Sequence, residues 1–164
     1  DRAVREYNTK DSREIELQTA REGIVLLKNE KNLLPLKRNI ISIAVIGPNA
    51  DAERNQLGDY THNPVLQDVV TVLEGIRNKV SPGTQVNYVK GCEIIGDKLN
   101  EINKAKAAAK KADIAIVVVG ENGERTNGEG HDVASLDLTG LQEDLLKDVY
   151  STGTQTIAVL INGI

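Results

Sequence analysis

The chain has 164 residues, 40% hydrophobic and 27% charged, with a net charge of −4 and a single cysteine, Cys92. That length suits one globular domain burying roughly 70% of its unfolded surface. No apolar run can span a bilayer, the negative charge argues against a nucleic-acid partner, and a lone thiol excludes an intrachain disulfide while leaving the redox compartment open.

In chain order, Asp11 followed by Glu14 reads as a capping pair, after which Leu17, Ala20, Ile24 and Leu27 recur at helical spacing. A short apolar run at 33–36 follows the string VLLKN at 25–29, where Lys28 and Asn29 read as structural. Residues 41–46 form the first strand, closed by Gly47 and Pro48. The stretch 65–80 has a helical period, with Val69, Val72, Leu73, Ile76 and Val80 on one face, and Ser81, Pro82 and Gly83 break it before a strand at 85–90. Residues 99–111 predict a helix with Ile102, Ala105 and Ala109 inward and Lys104, Lys106, Lys110 and Lys111 on a solvated face. The β-branched run 114–119 predicts a strand buried on both faces. Thr139 with Gln142 reads as a capping box for a helix with core residues Leu141, Leu145 and Val149, and 157–161 reads as a last buried strand.

This alternation predicts an α/β three-layer sandwich: a mostly parallel central sheet with helices on both faces, doubly wound and flavodoxin- or Rossmann-like. Crossover handedness puts every carboxyl strand end on one edge, where Gly47, Gly91, Gly120 and Asn162 fall. The long aperiodic segments 47–64 and 120–135 leave from that edge, where open α/β sheets bind ligands. The chain contains no methionine and both ends fall in mid-pattern, so it is expected to be a piece of a larger protein.

The second loop, GENGERTNGEGHDVASLDL at 120–138, carries Glu121, Glu124, Glu129, His131, Asp132 and Asp137. Its glycines fit neither GxGxxG nor GxxxxGK[ST], and its carboxylates would repel a pyrophosphate. A metal site would need ligands that converge, which adjacent loop residues rarely do. A receiver-type site fails as well, since Asp113 precedes its strand. Two readings stand: a solvated acidic loop without chemistry, or a loop presenting a general acid/base carboxylate. Glycoside hydrolysis is one use of the latter, and it needs a second carboxylate opposite.

The strings AREGIVLLKNEKNLLPL at 20–36, IAVIGPNAD at 43–51, Gly58 to Tyr60, ADIAIVVVGENGERTNGEGHD at 112–132, LDLTGLQEDLL at 136–146 and VLINGI at 159–164 together resemble the C-terminal domain of family 3 glycoside hydrolases. The resemblance covers residues 12–164 and implies that residues 1–11 are the remnant of a linker from an N-terminal (β/α)₈ barrel. It implies a retaining, exo-acting hydrolase of terminal β-linked glucose or xylose residues, whose nucleophilic aspartate lies in the barrel. In the family the proton donor often comes from this domain, and its GEGxDR motif puts Glu129 in that position with Glu124 as the rival. Asp59 and Tyr60 would lie in the facing loop near the outer sugar subsite, with His131 a further substrate-binding candidate. Val133 stands where the family usually has arginine, and Thr139 where it has proline. No cofactor and no metal are implied. The expected partners are a glycoside or oligosaccharide substrate and the barrel, without which the chain is expected to be inactive. The alternative is a non-catalytic domain supporting the barrel or an oligomer.

Overall fold

The computed structural model describes residues 9–61, 65–123, 126, 128–131 and 134–162. The chain divides into two units, Asp1–Leu36 and Lys37–Ile164. In the first unit, α1 (Lys10–Gly23) starts at Thr9, whose side chain accepts from the Ser12 N–H. The cap is thus Thr9 and not the Asp11–Glu14 pair, because the chain is already helical at Lys10. None of its described side chains is buried, and Ile24 and Leu27 lie beyond its end. Asn29 then closes the following loop on itself: its amide donates to the Leu34 carbonyl (2.8 Å) and accepts from the Leu34 N–H (2.9 Å).

In the second unit, the four apolar runs form a wholly parallel sheet of β1 (Ser42–Ile46), β2 (Gln85–Val89), β3 (Ile114–Gly120) and β4 (Gln155–Ile161), in the order β2-β1-β3-β4. The central strands are buried on both faces. Ala44, Ile46, Ala115, Val117 and Val119 join one core cluster with Ile102, Ala105 and Ala109 of α3 (Ile102–Lys110) and Leu145 and Val149 of α4 (Gln142–Tyr150). Ile43, Val45, Ile116 and Val118 are buried on the opposite face. Helix α2 (Val72–Lys79) buries Leu73, whose N–H donates to the Ala50 carbonyl at 2.8 Å. This is a three-layer α/β sandwich. Lys106 reaches Asp148 of α4 at 3.0 Å, while Lys104, Lys110 and Lys111 are exposed as expected.

Three elements differ from the expectation. The helical period at 65–80 yields an α-helix of only eight residues, preceded by a 3₁₀ turn at Leu66–Asp68. Thr71, buried, caps α2 by accepting from the Glu74 N–H, so the chain must be extended at Thr71 and cannot be helical through it. Thr139 does not cap α4, which begins at Gln142, and its hydroxyl donates instead to the Ile94 carbonyl. Strand β4 is half-exposed rather than buried, because it pairs with β3 on one side only among the described residues.

Strand β1 has β2 on one side and β3 on the other, so the chain's winding direction reverses between β1 and β3. In doubly wound sheets that reversal opens a crevice at the carboxyl edge. The amino edge is closed by Asp113, whose carboxylate accepts from the Ile41 and Ser42 N–H groups at 3.0 and 2.9 Å.

Candidate functional site at the carboxyl edge

All four buried polar side chains among the described residues, Asn49, Thr71, Thr126 and Gln142, serve segments that leave or return to the carboxyl edge. A buried polar group costs free energy unless it is hydrogen-bonded, so each marks a point the fold holds fixed. Gln142 is the best satisfied. Its Oε1 accepts from the Gly120 N–H (2.8 Å), and its Nε2 reaches the carbonyls of Gly120 (2.9 Å), Thr139 (3.2 Å) and Ile94 (3.3 Å). One amide thus ties the end of β3 to the start of α4, closing the neck of the loop between them. Gly120 permits this: at φ 131° it turns out of the sheet so close to β4 that a Cβ would lie 1.9 Å from the Ile161 carbonyl oxygen.

An asparagine relay joins this neck to the loop after β1. Asn49 donates to the Glu121 carbonyl (3.1 Å) and accepts from Asn55 (2.8 Å), and Asn55 accepts from Asn122 (3.2 Å). The Asn122 backbone in turn brackets Thr126, whose hydroxyl accepts from its N–H at 2.9 Å and donates to its carbonyl at 3.3 Å. Beside the relay, one carboxylate oxygen of Glu121 is buried without a hydrogen-bond partner among the described residues.

Farther out, the two loops meet. The Asp59 carboxylate accepts from the Glu129 backbone N–H at 2.9 Å, and the Tyr60 hydroxyl donates to the Glu129 carboxylate at 3.2 Å. The Asp59 carboxylate lies so close to the glycine before Glu129 that a Cβ at Gly128 would sit 2.5 Å from it. Three of the site residues named from sequence, Asp59, Tyr60 and Glu129, are therefore in direct contact across 70 positions of chain. His131 is exposed, and its N–H donates to the Gly128 carbonyl (3.0 Å), closing the turn on which Glu129 sits. Glu124 and Asp132 lie outside the described residues.

Next to the relay lies a cleft of about 280 Å³, lined by Pro48, Asp51, Ala52, Asn55, Tyr88 and Lys90, with Glu93, Ile94 and Asn122. Lys90 pairs with Glu93 at 2.7 Å, and the Asp51 carboxylate accepts from the Thr71 hydroxyl at 3.2 Å. Burial, with Asp51 and Glu93 adding their charge, pushes the Tyr88 phenol up to about 12. Burial likewise pushes the Cys92 thiol up to about 11, with Glu93 adding to it, so this cysteine is a neutral core residue. Among the described residues no group of three His, Cys, Asp or Glu could hold a metal ion.

The sequence reading missed the relay and the cleft. Only the IGPN string at the end of β1 hinted at Asn49, since every partner of the three asparagines but one is a long way off in the chain or on its backbone.

Fold and site define a doubly wound α/β domain with two polar loops joined across its switch point. The model of the glycosyl hydrolase family 3 C-terminal domain matches residues 24–164, and the chain belongs to that family. It is 42% identical over 163 residues to a β-xylosidase of Formosa agariphila, covering 96% of this chain and 22% of the relative. It is 37% identical to a periplasmic β-glucosidase of Salmonella typhimurium, covering 94% and 22%. Among solved structures, a β-glucosidase from Listeria innocua in complex with isofagomine superposes with a TM-score of 0.85 at 28% identity, covering 98% of this chain and 21% of that one. The chain thus spans about a fifth of the length of the relatives it matches.

Proposed function

We propose that this chain forms one wall of the sugar site of a retaining, exo-acting glycoside hydrolase that cleaves terminal β-linked glucose or xylose, with Glu129 as general acid/base. The observation that carries the reading is the clasp across the switch point. Asp59 fixes the backbone of Glu129 and Tyr60 holds its carboxylate, so the carboxylate is exposed yet oriented. The xylosidase and glucosidase relatives supply the substrate class.

In the first step Glu129, protonated, donates to the glycosidic oxygen while a carboxylate outside this chain attacks the anomeric carbon. In the second step Glu129, now ionised, takes the proton of the water that releases the sugar. The Tyr60 hydroxyl, donating to a carboxylate oxygen of Glu129, would keep that group oriented through both steps. His131, exposed on the same turn, is the proposed contact for substrate hydroxyls. Glu124 remains the rival donor. Residues 1–11 are proposed as the remnant of a linker from a preceding barrel domain, which would hold the nucleophile. The 164-residue chain alone is then inactive.

The test is Glu129→Gly in the full-length enzyme, assayed on aryl β-glucosides and β-xylosides with and without azide. Turnover on poor leaving groups should fall by about 10²–10⁴, and azide should restore it with a β-glycosyl azide as product. Unchanged turnover on poor leaving groups would sink the assignment and move the role to Glu124 or, failing that, leave this domain a support for the barrel.

A further inference from the structure

We infer that the cleft outside the carboxyl ends of β2, β1 and β3 is a second carbohydrate site, which takes one neutral polyhydroxylated ring of pentose or hexose size. Its position comes first. Pro48, Asp51, Ala52 and Asn55 follow β1; Tyr88 is the last residue but one of β2, with Lys90, Glu93 and Ile94 just beyond the strand; Asn122 follows β3. Every lining side chain therefore stands at or beyond a carboxyl strand end, the place where open α/β sheets bind ligands. None of Asp59, Tyr60 and Glu129 lines it, so the inference does not rest on the role given to Glu129.

Size and chemistry set the ligand class. At about 280 Å³ the cleft lies at the lower end of ligand pockets, which run from about 300 to 1,000 Å³ and hold drug-sized molecules at their larger end. One sugar ring fits that scale. Two carboxylates against one ammonium leave the lining with excess negative charge, which disfavours an anion, while Lys90 stands against a cation. Asparagine amides, paired carboxylates and an ammonium both donate and accept, as ring hydroxyls require, and Pro48, Ala52 and Ile94 offer small apolar surface for ring C–H groups.

Within that lining Tyr88 is half-buried, and none of the hydrogen bonds among the described residues engages its hydroxyl, which leaves it to meet a ligand acceptor. Asn55 and Asn122 also belong to the relay that anchors the Glu129 loop. A ring bound between them would therefore tighten the root of that loop.

The test uses the full-length protein, first treated with a 2-deoxy-2-fluoroglycoside so that a retaining active site is covalently filled. Binding of xylose, glucose, xylobiose and cellobiose is then followed by saturation-transfer NMR, with inorganic phosphate as the anion control. Monosaccharide binding should survive the treatment. Ala52→Phe, which places a ring in the cleft, should weaken it at least about tenfold, and the isosteric Tyr88→Phe about threefold. Disaccharides binding better than monosaccharides would identify the end of an oligosaccharide as the natural occupant; equal binding would identify a free sugar. Loss of all binding after treatment, survival that ignores both variants, or tighter binding of phosphate would each overturn the inference. Failure of the fluoroglycoside to label the protein would count against the hydrolase reading alone, because the two cleft variants still decide this one.

Discussion

At its root, the segment leaving β3 is gripped by side chains with no solvent exposure, Gln142 and Asn49, whose bonds reach backbone groups on three separate segments. At its tip, Glu129 is held by one backbone and one side-chain bond, and the Tyr60 that makes the latter is 81% exposed. The difference separates two tasks. A buried bond network has no water to replace a lost partner, so it fixes where the loop emerges. An exposed carboxylate can meet a substrate and exchange protons, which a buried one could not do without a large desolvation cost.

The sharpest way to break the root is Gln142→Leu. It puts an apolar side chain of similar size in place of the amide and strands the Gly120 N–H and carbonyl away from water, and a buried unsatisfied group costs about 1–3 kcal/mol. The urea unfolding midpoint should drop by an amount equivalent to about 3 kcal/mol at unchanged slope. A loss below about 1 kcal/mol would show that the neck is held by something other than this amide. Asn49→Ala comes next, at about 1–2 kcal/mol, because Asn55 retains Asn122 as a partner and so is not left wholly unpaired. On the role proposed for Glu129, both changes should also lower turnover of the full-length protein by displacing that residue rather than by removing it.

How far these features were legible depended on the range of the interaction that makes them. Strands β1 and β3 were plain from their β-branched runs, because burial on both faces leaves no alternation to misread. The helical period at 65–80 overdraws the helix because it runs on through Thr71, whose bond from the Glu74 N–H starts the helix at Val72. Gln142 was read as a local cap with Thr139. Its strongest bonds go to Gly120, 22 residues away, and nothing in a local pattern could announce them. Asp59, Tyr60 and Glu129 are named only through the resemblance to the family's motifs; the residue pattern itself reaches no further than two loops leaving one sheet edge, and it is the parallel pairing of β1 and β3 that lets those loops touch.

A pH titration sharpens the comparison from the side of the core and cleft. The fold accommodates Cys92 and Tyr88 in their neutral forms, and their folded values of about 11 and about 12 lie above the ordinary 9.0 and 10.0. A raised value means that stability is whole below the unfolded value and is lost as pH rises towards the folded one. The domain should therefore weaken from pH 9 to 11 through Cys92 and from pH 10 to 12 through Tyr88. Tyr88→Phe should abolish the upper part of that loss and leave the lower. An alkaline limb identical in the variant would mean that the phenol is solvated in the folded state.

The smallest effect is expected at the tip. Tyr60→Phe removes one exposed 3.2 Å bond and nothing from the core, so the unfolding midpoint should move by less than about 0.5 kcal/mol. Its signature should be kinetic instead. Tyr60 donates to the Glu129 carboxylate, so its loss frees that group to reorient, and on the role proposed for Glu129 turnover on poor leaving groups should fall by a few-fold. Asp59→Ala should cost more, because Asp59 holds the Glu129 backbone and not only its side chain. Equal losses in the two variants would mean that the two contacts hold Glu129 as one unit, instead of a held backbone carrying a separately held side chain.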